Sequence, residues 1–230
     1  MVKKSETKVV PSIIGASQKE IDEMITRVSP YVSLMQLDIM DGKFVKNKSF
    51  WFDFRLPKKI WNKKMKYEAH LMVKEPERWI KKHLQQVDTV VFPYESLHEK
   101  NKTKEKERIL SLIKKINNKK KKAGIAINPK TKAEKIFPYL KDLDQVTILA
   151  VHPGGYGAKF LPKMLKKVRE IRKRNKRIII EVDGGINPQT VKLAAQSGAN
   201  YFVSGSFVTK AEKPGERIAE LKKQLTERLP

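Results

Sequence analysis

None of the 230 residues is a cysteine, which excludes disulfides, thiol catalysis and zinc fingers. No hydrophobic run approaches the roughly 20 residues that cross a bilayer. The opening Met1-Val2-Lys3-Lys4-Ser5-Glu6 lacks the apolar centre of a signal peptide. A soluble, cytoplasmic protein with no membrane partner is therefore expected. Acidic residues are scarce, 25 against 50 lysines and arginines, so the net charge is +25. Aromatics amount to 8% and do not interleave with the basic runs as they do in single-strand binders. The densest runs are residues 119–122 and 163–177. In the second, Met164, Leu165, Val168 and Ile171 keep an apolar stripe, so the basic side chains cover an outer helix face. Nucleic acid is accordingly not the expected partner, whereas attraction of an anionic substrate fits the charge. Linkers, low-complexity tracts and repeats are also lacking. One domain across residues 1–230 is expected, and a homo-oligomer is compatible with the sequence.

What the chain does have is a rhythm of apolar runs separated by amphipathic segments. Strands are predicted at 8–14, 34–39, 66–72, 89–92, 124–128, 145–151, 178–183 and 201–204. Most are near-continuously apolar, as strands buried on both faces are. Helices are predicted at 19–28, 76–84, 105–117, 132–140, 162–175, 188–197 and 214–229, several with proline at or near the start. Eight alternating units at this length predict an α/β fold of the closed (β/α)₈ TIM-barrel type, with a doubly wound open sheet as the competitor. The segment 41–56 is long and weakly periodic. Its Phe44, Phe50, Trp51 and Phe52 either form a flap over the barrel mouth or pack against its rim.

Two strand ends carry the most chemistry. Glu181-Val182-Asp183-Gly184-Gly185-Ile186 delivers a carboxylate to the end of the seventh strand and then turns on glycines. Leu34-Met35-Gln36-Leu37-Asp38-Ile39-Met40-Asp41-Gly42 does the same for the second. A single Asp-Gly after a strand is ordinarily only a turn. Two of them, at the barrel end where loops host catalysis, predict a paired-acid site. The other polar residues expected at that mouth are Ser12, His70, Glu95, Asn128, His152 and residues 204–206.

At these positions the chain closely resembles the ribulose-phosphate 3-epimerase family. The resemblance rests on Pro11-Ser12-Ile13-Ile14, Leu37-Asp38-Ile39-Met40-Asp41-Gly42-Lys43-Phe44-Val45 and Ala69-His70-Leu71-Met72-Val73. It continues through Gly124-Ile125-Ala126-Ile127-Asn128-Pro129, Val151-His152-Pro153-Gly154-Gly155-Tyr156-Gly157-Ala158-Lys159-Phe160, the Asp183 segment and Gly198-Ala199-Asn200 to Gly205-Ser206. The resemblance implies a (β/α)₈ barrel that inverts C3 of a ketopentose 5-phosphate, with ribulose 5-phosphate the expected ketose phosphate substrate. It makes Asp38 and Asp183 the two proton carriers, one ionised and one protonated. It also implies a divalent metal cation (Mn, Fe, Mg or Zn) held by Asp38, His70, Asp183 and the position of Gln36.

Gln36 departs from the family, which has histidine there. Either its carbonyl oxygen ligates, favouring manganese, magnesium or ferrous iron over zinc, or the metal is absent and the amide touches substrate hydroxyls. Ser12 and Asn128 are expected on substrate hydroxyls, and Met40 and Met72 as apolar walls. Backbone N–H groups around Gly154 and Gly157, Gly184 and Gly185, and Gly205 and Ser206 are the candidates for the phosphate. Tyr156 and Ala158 replace a glycine and a glutamine of the family pattern, and Pro93 replaces a histidine. An epimerase for another ketose phosphate, or a phosphosugar-binding barrel without catalysis, are the alternative readings.

Overall fold

A computed structural model of the protein describes residues 6–49, 54–60, 62–152 and 158–226. Eight parallel strands close into a barrel: β1 (Lys8–Ile13), β2 (Leu34–Met40), β3 (Lys66–Met72), β4 (Thr89–Pro93), β5 (Lys122–Ile127), β6 (Gln145–Leu149), β7 (Ile179–Asp183) and β8 (Tyr201–Ser204). Each pairs with its sequence neighbours, and β8 closes on β1 through Lys8 to Pro11 against Tyr201 to Ser204. This is the predicted TIM barrel. An open doubly wound sheet is ruled out by the closure.

The strands are buried almost end to end, β2 and β6 at every residue, because helices cover the outer face and side chains fill the lumen. The helices are α1 (Gln18–Val28), α2 (Pro76–His83), α3 (Tyr94–Leu97), α4 (Lys102–Asn118), α5 (Leu165–Arg174), α6 (Pro188–Gln196), α7 (Ser206–Thr209) and α8 (Pro214–Thr226). Among the described residues none is long and apolar enough to cross a membrane. Local chemistry sets their ends. Ser17 caps α1 by accepting from the Glu20 N–H. Asn187 caps α6 in a reciprocal box with Thr190, and Pro188 opens that helix. Gly198 leaves α6 at φ +102°, a conformation that favours glycine.

One predicted helix differs in type. Residues 132–140 form a 3₁₀ helix (Ala133–Tyr139) rather than an α-helix, because Pro138 sits inside it and lacks the N–H for regular α bonding. Among the described residues no α-helix follows β2, as the weak periodicity of 41–56 suggests. That connection instead leads to a small antiparallel hairpin of Lys59–Ile60 and Lys63–Lys64. Phe44 packs on Met40, Val45 and Met72 at the mouth, while Phe50, Trp51 and Phe52 lie outside the described residues.

Three apolar regions divide the work. The large one is the annulus between strands and helices, including Ile21, Trp79, Ile109 and Val168. A small plug of Val10, Leu34, Tyr201 and Val203, backed by Ile179, fills the N-terminal end of the lumen. The third, Met40, Val45 and Met72, lies at the opposite end. Between the last two the lumen is polar.

Outside the barrel, one buried carboxylate ties α3 to α4. Glu105 accepts from the Tyr94 hydroxyl (2.8 Å), the Glu99 N–H (3.0 Å), Lys102 Nζ (3.1 Å) and His98. Burial alone would raise its carboxyl, but these donors outweigh it and hold it down at about 2. A carboxylate whose folded pKa is depressed stabilises fully above its ordinary value of 4.5 and loses that contribution as pH falls toward 2. Glu105→Gln should therefore destabilise the protein by about 1–3 kcal/mol at pH 7. Denaturant midpoints of the two proteins should converge as pH falls from 4.5 to 2; a pH-independent difference would contradict the assignment.

Candidate active site

Side chains two apart on a strand point to the same face, so β2 sends both Gln36 and Asp38 into the lumen. By the same rule β3 sends Glu68 and His70, and β7 sends Glu181 and Asp183. In register, Asp38 stands opposite His70 and Gln36 opposite Glu68. The result is two stacked polar layers, an upper one of Asp38, His70 and Asp183, and a lower one of Gln36, Glu68 and Glu181.

In the upper layer, donor atoms of Asp38, His70 and Asp183 all lie within 4.8 Å of one another. His70 Nδ1 is 3.1 Å from Asp183 Oδ2 and 3.5 Å from Asp38 Oδ1. Neither ring nitrogen makes a well-directed hydrogen bond despite full burial, so these are contacts of convergence rather than donor–acceptor pairs. From below, Gln36 Nε2 donates to Asp38 Oδ1 (2.7 Å) and to Asp183 Oδ2 (3.1 Å). Gln36 Oε1 is buried and has no hydrogen-bond partner among the described residues.

The electrostatics follow from burial and crowding. Burial raises the Asp38 carboxyl, the charge of Asp183 adds to the rise, and His70 and Gln36 oppose it. For His70 burial works downward, but Asp183 and Asp38 outweigh it and push the imidazole up to about 10. The pair thus demands a positive charge between its members. A divalent cation meets the same demand with a neutral imidazole as ligand. Two carboxylates, one imidazole with undirected ring nitrogens and a nearby amide oxygen without a partner make a donor set that fits such a cation.

The lower layer is a carboxyl pair held by neutral donors. Gln145 Nε2 donates to Glu68 Oε2 (2.8 Å) and Glu181 Oε1 (3.1 Å), and the Thr147 hydroxyl donates to Glu181 Oε1 (2.9 Å). Burial, and then the charge of Glu68, push Glu181 well above the usual carboxylate range.

Above the acids opens a cavity of about 130 Å³, roughly ten times the space a single water requires. Asp38, His70 and Asp183 form its floor, with Ser12, Met40 and Met72 on the walls. Gly184 and Gly185 line it after β7, and Gly205 and Ser206 after β8. Gln36 lies beneath rather than along the cavity. Asn128 is not among its lining residues: its backbone N–H donates to Glu95 Oε1 (2.9 Å), and its carbonyl accepts from Lys167 Nζ (2.8 Å). Glu95 is engaged there and by the Thr131 hydroxyl, not by His70. Gly154 and Gly157 lie outside the described residues. His152 is exposed at the rim.

Several lining residues escape the sequence reading, chiefly Ile14, Asn47, Val151 and Phe207. Asn47 reaches the cavity because the loop after β2 folds back. Asp41 accepts from the N–H groups of Lys43, Phe44 and Lys74, each at 2.8 Å, and bridges to Lys48. Ser49 Oγ accepts from the Met40 N–H (2.9 Å) and donates to the Asp38 carbonyl. An aspartate two and three residues before the N–H groups it caps is the available signal.

Residues 8–209 match the ribulose-phosphate 3 epimerase family. A ribulose-phosphate 3-epimerase of Schizosaccharomyces pombe is 34% identical over 94% of this chain and 93% of its own length. The cytoplasmic isoform of Oryza sativa subsp. japonica is 31% identical over 98% and 97%. Among solved structures, a 3-keto-L-gulonate-6-phosphate decarboxylase of Vibrio cholerae superposes with a TM-score of 0.66 at 11% identity, covering 99% of this chain and 100% of its own. A 3-hexulose-6-phosphate synthase superposes at 0.63 and 17% identity, covering 94% and 99%. At those identities the structural likeness shows the fold.

The turn after Asp183 admits only glycine. Gly184 has φ +103°, and a Cβ there would stand 2.4 Å from Val151 Cγ2, on the cavity wall. Gly184→Ala should cost at least about 1–3 kcal/mol of stability from backbone strain alone. It should also raise KM for the phosphorylated substrate by displacing Val151 and the turn. Wild-type values of both the denaturation midpoint and KM would show that the turn tolerates a side chain.

Proposed function

The chain belongs to the ribulose-phosphate 3-epimerase family, and from that premise we propose that it interconverts ribulose 5-phosphate and xylulose 5-phosphate by inverting C3. It is a ribulose-phosphate 3-epimerase-like enzyme, an isomerase acting on carbohydrates. The observation that carries the finer reading is the convergence of Asp38 and Asp183, from strands three steps apart around the barrel, on the floor of one cavity.

Inversion at a carbon beside a carbonyl requires that a proton leave from one side and another arrive from the other. One carboxylate takes the C3 proton, leaving an enediolate, and the partner carboxyl, protonated at the start, delivers its own to the opposite face. The pair ends with its protonation reversed, so the same residues run the reverse reaction and no net proton is consumed. Mutual repulsion favours the singly protonated state in which this exchange begins. Asp38, His70 and Asp183 would hold a divalent cation, with Gln36 a fourth donor through Oε1; an amide oxygen favours Mn²⁺, Mg²⁺ or Fe²⁺ over Zn²⁺. Such a cation supplies positive charge that stabilises the developing enediolate.

The remaining wall divides into two duties. Met40 and Met72 shield the reacting carbon from water, with Ile14 and Phe44 packed against them. The backbone turns at Gly184–Gly185 and Gly205–Ser206 follow the seventh and eighth strands, where barrels commonly bind phosphate. Ser12 and Asn47, which line the cavity, would meet substrate hydroxyls. Ala158 favours a second reading. It lines the cavity where the family pattern has glutamine, so one polar contact to the sugar is missing, and a different ketose phosphate is the rival substrate.

Solvent deuterium should enter C3 of ribulose 5-phosphate during turnover, and more slowly or not at all in other ketose phosphates; faster exchange in a ketohexose 6-phosphate would favour the rival. Asp38→Asn and Asp183→Asn should each lower kcat by at least about 10²-fold. Near-native turnover in both variants would refute the paired-acid mechanism.

A further inference from the structure

We propose that the Gln36 amide turns over when a divalent cation enters the site, and that Glu68 is the positioning residue that receives its –NH₂ group. The inference rests on the reading above that Asp38, His70 and Asp183 hold the cation, and it deepens that reading by assigning a residue below the ligands.

In the orientation present, Gln36 puts its Nε2 between the two acids, 2.7 Å from Asp38 Oδ1 and 3.1 Å from Asp183 Oδ2. That is a bridge of positive N–H groups toward two anions. A cation among the same oxygens would meet the positive end of the amide dipole, so this orientation competes with metal. A half-turn of the amide about its last torsion exchanges Nε2 and Oε1 with almost no change in shape. Oε1 then faces the cation as a ligand.

The turn requires that the displaced –NH₂ find an acceptor in a fully buried place. Glu68 stands directly opposite Gln36 in the β2–β3 register, and both residues are fully buried. In the present orientation, among the described residues, Gln36 Oε1 has no hydrogen bond, and Glu68 Oε1 has none beyond the contact of its carboxyl with Glu181. Gln36 thus carries an orphaned acceptor, which buried polar groups normally avoid, opposite a carboxyl with room for another donor. Turned over, the amide gives Glu68 Oε1 a donor while its own oxygen gains the cation. The one motion satisfies both atoms.

Glu68 is also held in place for the task. Its other oxygen, Oε2, accepts from Gln145 Nε2 at 2.8 Å, and Gln145 is anchored in turn to Glu181 and Thr147. Glu68 and Glu181 also meet through one hydrogen bond between their carboxyl groups. A carboxylate oxygen accepts two hydrogen bonds, so that contact leaves room for the amide. The lower layer thereby acts on the upper through a single side chain, Gln36.

The test is Mn²⁺ binding to the full chain, followed by titration calorimetry and Mn²⁺ electron spin resonance, with no dependence on turnover. Gln36→Leu and Glu68→Met should each weaken Mn²⁺ binding by about 10- to 100-fold. The double variant should bind no more weakly than Gln36→Leu, because Glu68 acts only through the amide. Undiminished binding in Glu68→Met, or losses that multiply in the double variant, would overturn the inference. His70→Ala should abolish binding in the same assay; a wild-type chain that takes up no Mn²⁺ would defeat the shared premise along with the inference. Should Glu68→Met not fold, the unaltered chain still decides. Its Gln36 side-chain amide resonances, identified by their loss in Gln36→Leu, should move on saturation with Mg²⁺, with one amide proton staying protected from exchange. Resonances that stay in place at saturating Mg²⁺ would count against the turn.

Discussion

Asp38 and Asp183 repel each other in a buried cavity, and most of the interior can be understood as a response to that repulsion. In a low-dielectric space two adjacent carboxylates cannot both remain charged without compensation. The fold supplies it from two directions. His70 converges on both acids from the neighbouring strand, and Gln36 donates to both from below. Neither is a full counter-ion in its neutral state. A proton on the imidazole or a divalent cation completes the balance.

Such an arrangement would be ruinous in an ordinary core, where an unpaired charge costs more than most single contacts return. The barrel tolerates it because stability is generated elsewhere. The large apolar annulus between strands and helices is continuous around the molecule, and the lumen needs only a small plug at its closed end. The polar middle layer separates that plug from the site. Gln145 and Thr147 turn two buried glutamates into a hydrogen-bonded pair, so that the layer is rigid without being apolar. Rigidity there fixes the strand ends above it, and the strand ends set where the two acids meet.

Much of this is legible in the sequence, for an identifiable reason. Strands buried on both faces read as unbroken apolar runs, so a charged residue at the end of one is conspicuous; Asp38, His70 and Asp183 stand out on that ground. The lower layer obeys the same logic but is easily passed over. Gln36, Glu68 and Glu181 each lie two residues before an upper-layer residue, and period two forces them into the lumen together. Asn128 shows a role the sequence does not signal. Its place at a strand end suggests substrate contact, and its backbone is in addition held by Glu95 and Lys167, which makes the segment a strut. Lys167 misleads in its own way. It belongs to a basic run that otherwise covers the outside of α5, but it is buried, with its amine on the carbonyls of Asn128 and Pro129. Asn47 cannot be placed from sequence, since its position depends on a loop closed by Asp41 across more than thirty residues to Lys74.

The barrel itself says little about the reaction. Structures that superpose over nearly the whole chain carry names as different as a decarboxylase and a synthase, so the shared architecture supplies a mouth but not the chemistry. What narrows the reaction is stereochemical. A single general base can remove a proton and return it to the same face. Inversion calls for a second acid on the far side, and two strands separated around the barrel are the simplest way to place carboxylates on either side of one carbon. Adjacent strands would put both acids on the same wall. In the proposed mechanism the three-step separation of β2 from β7 is therefore the feature of the fold that serves inversion, and His70 on β3 reaches both acids because their donor atoms converge within 4.8 Å.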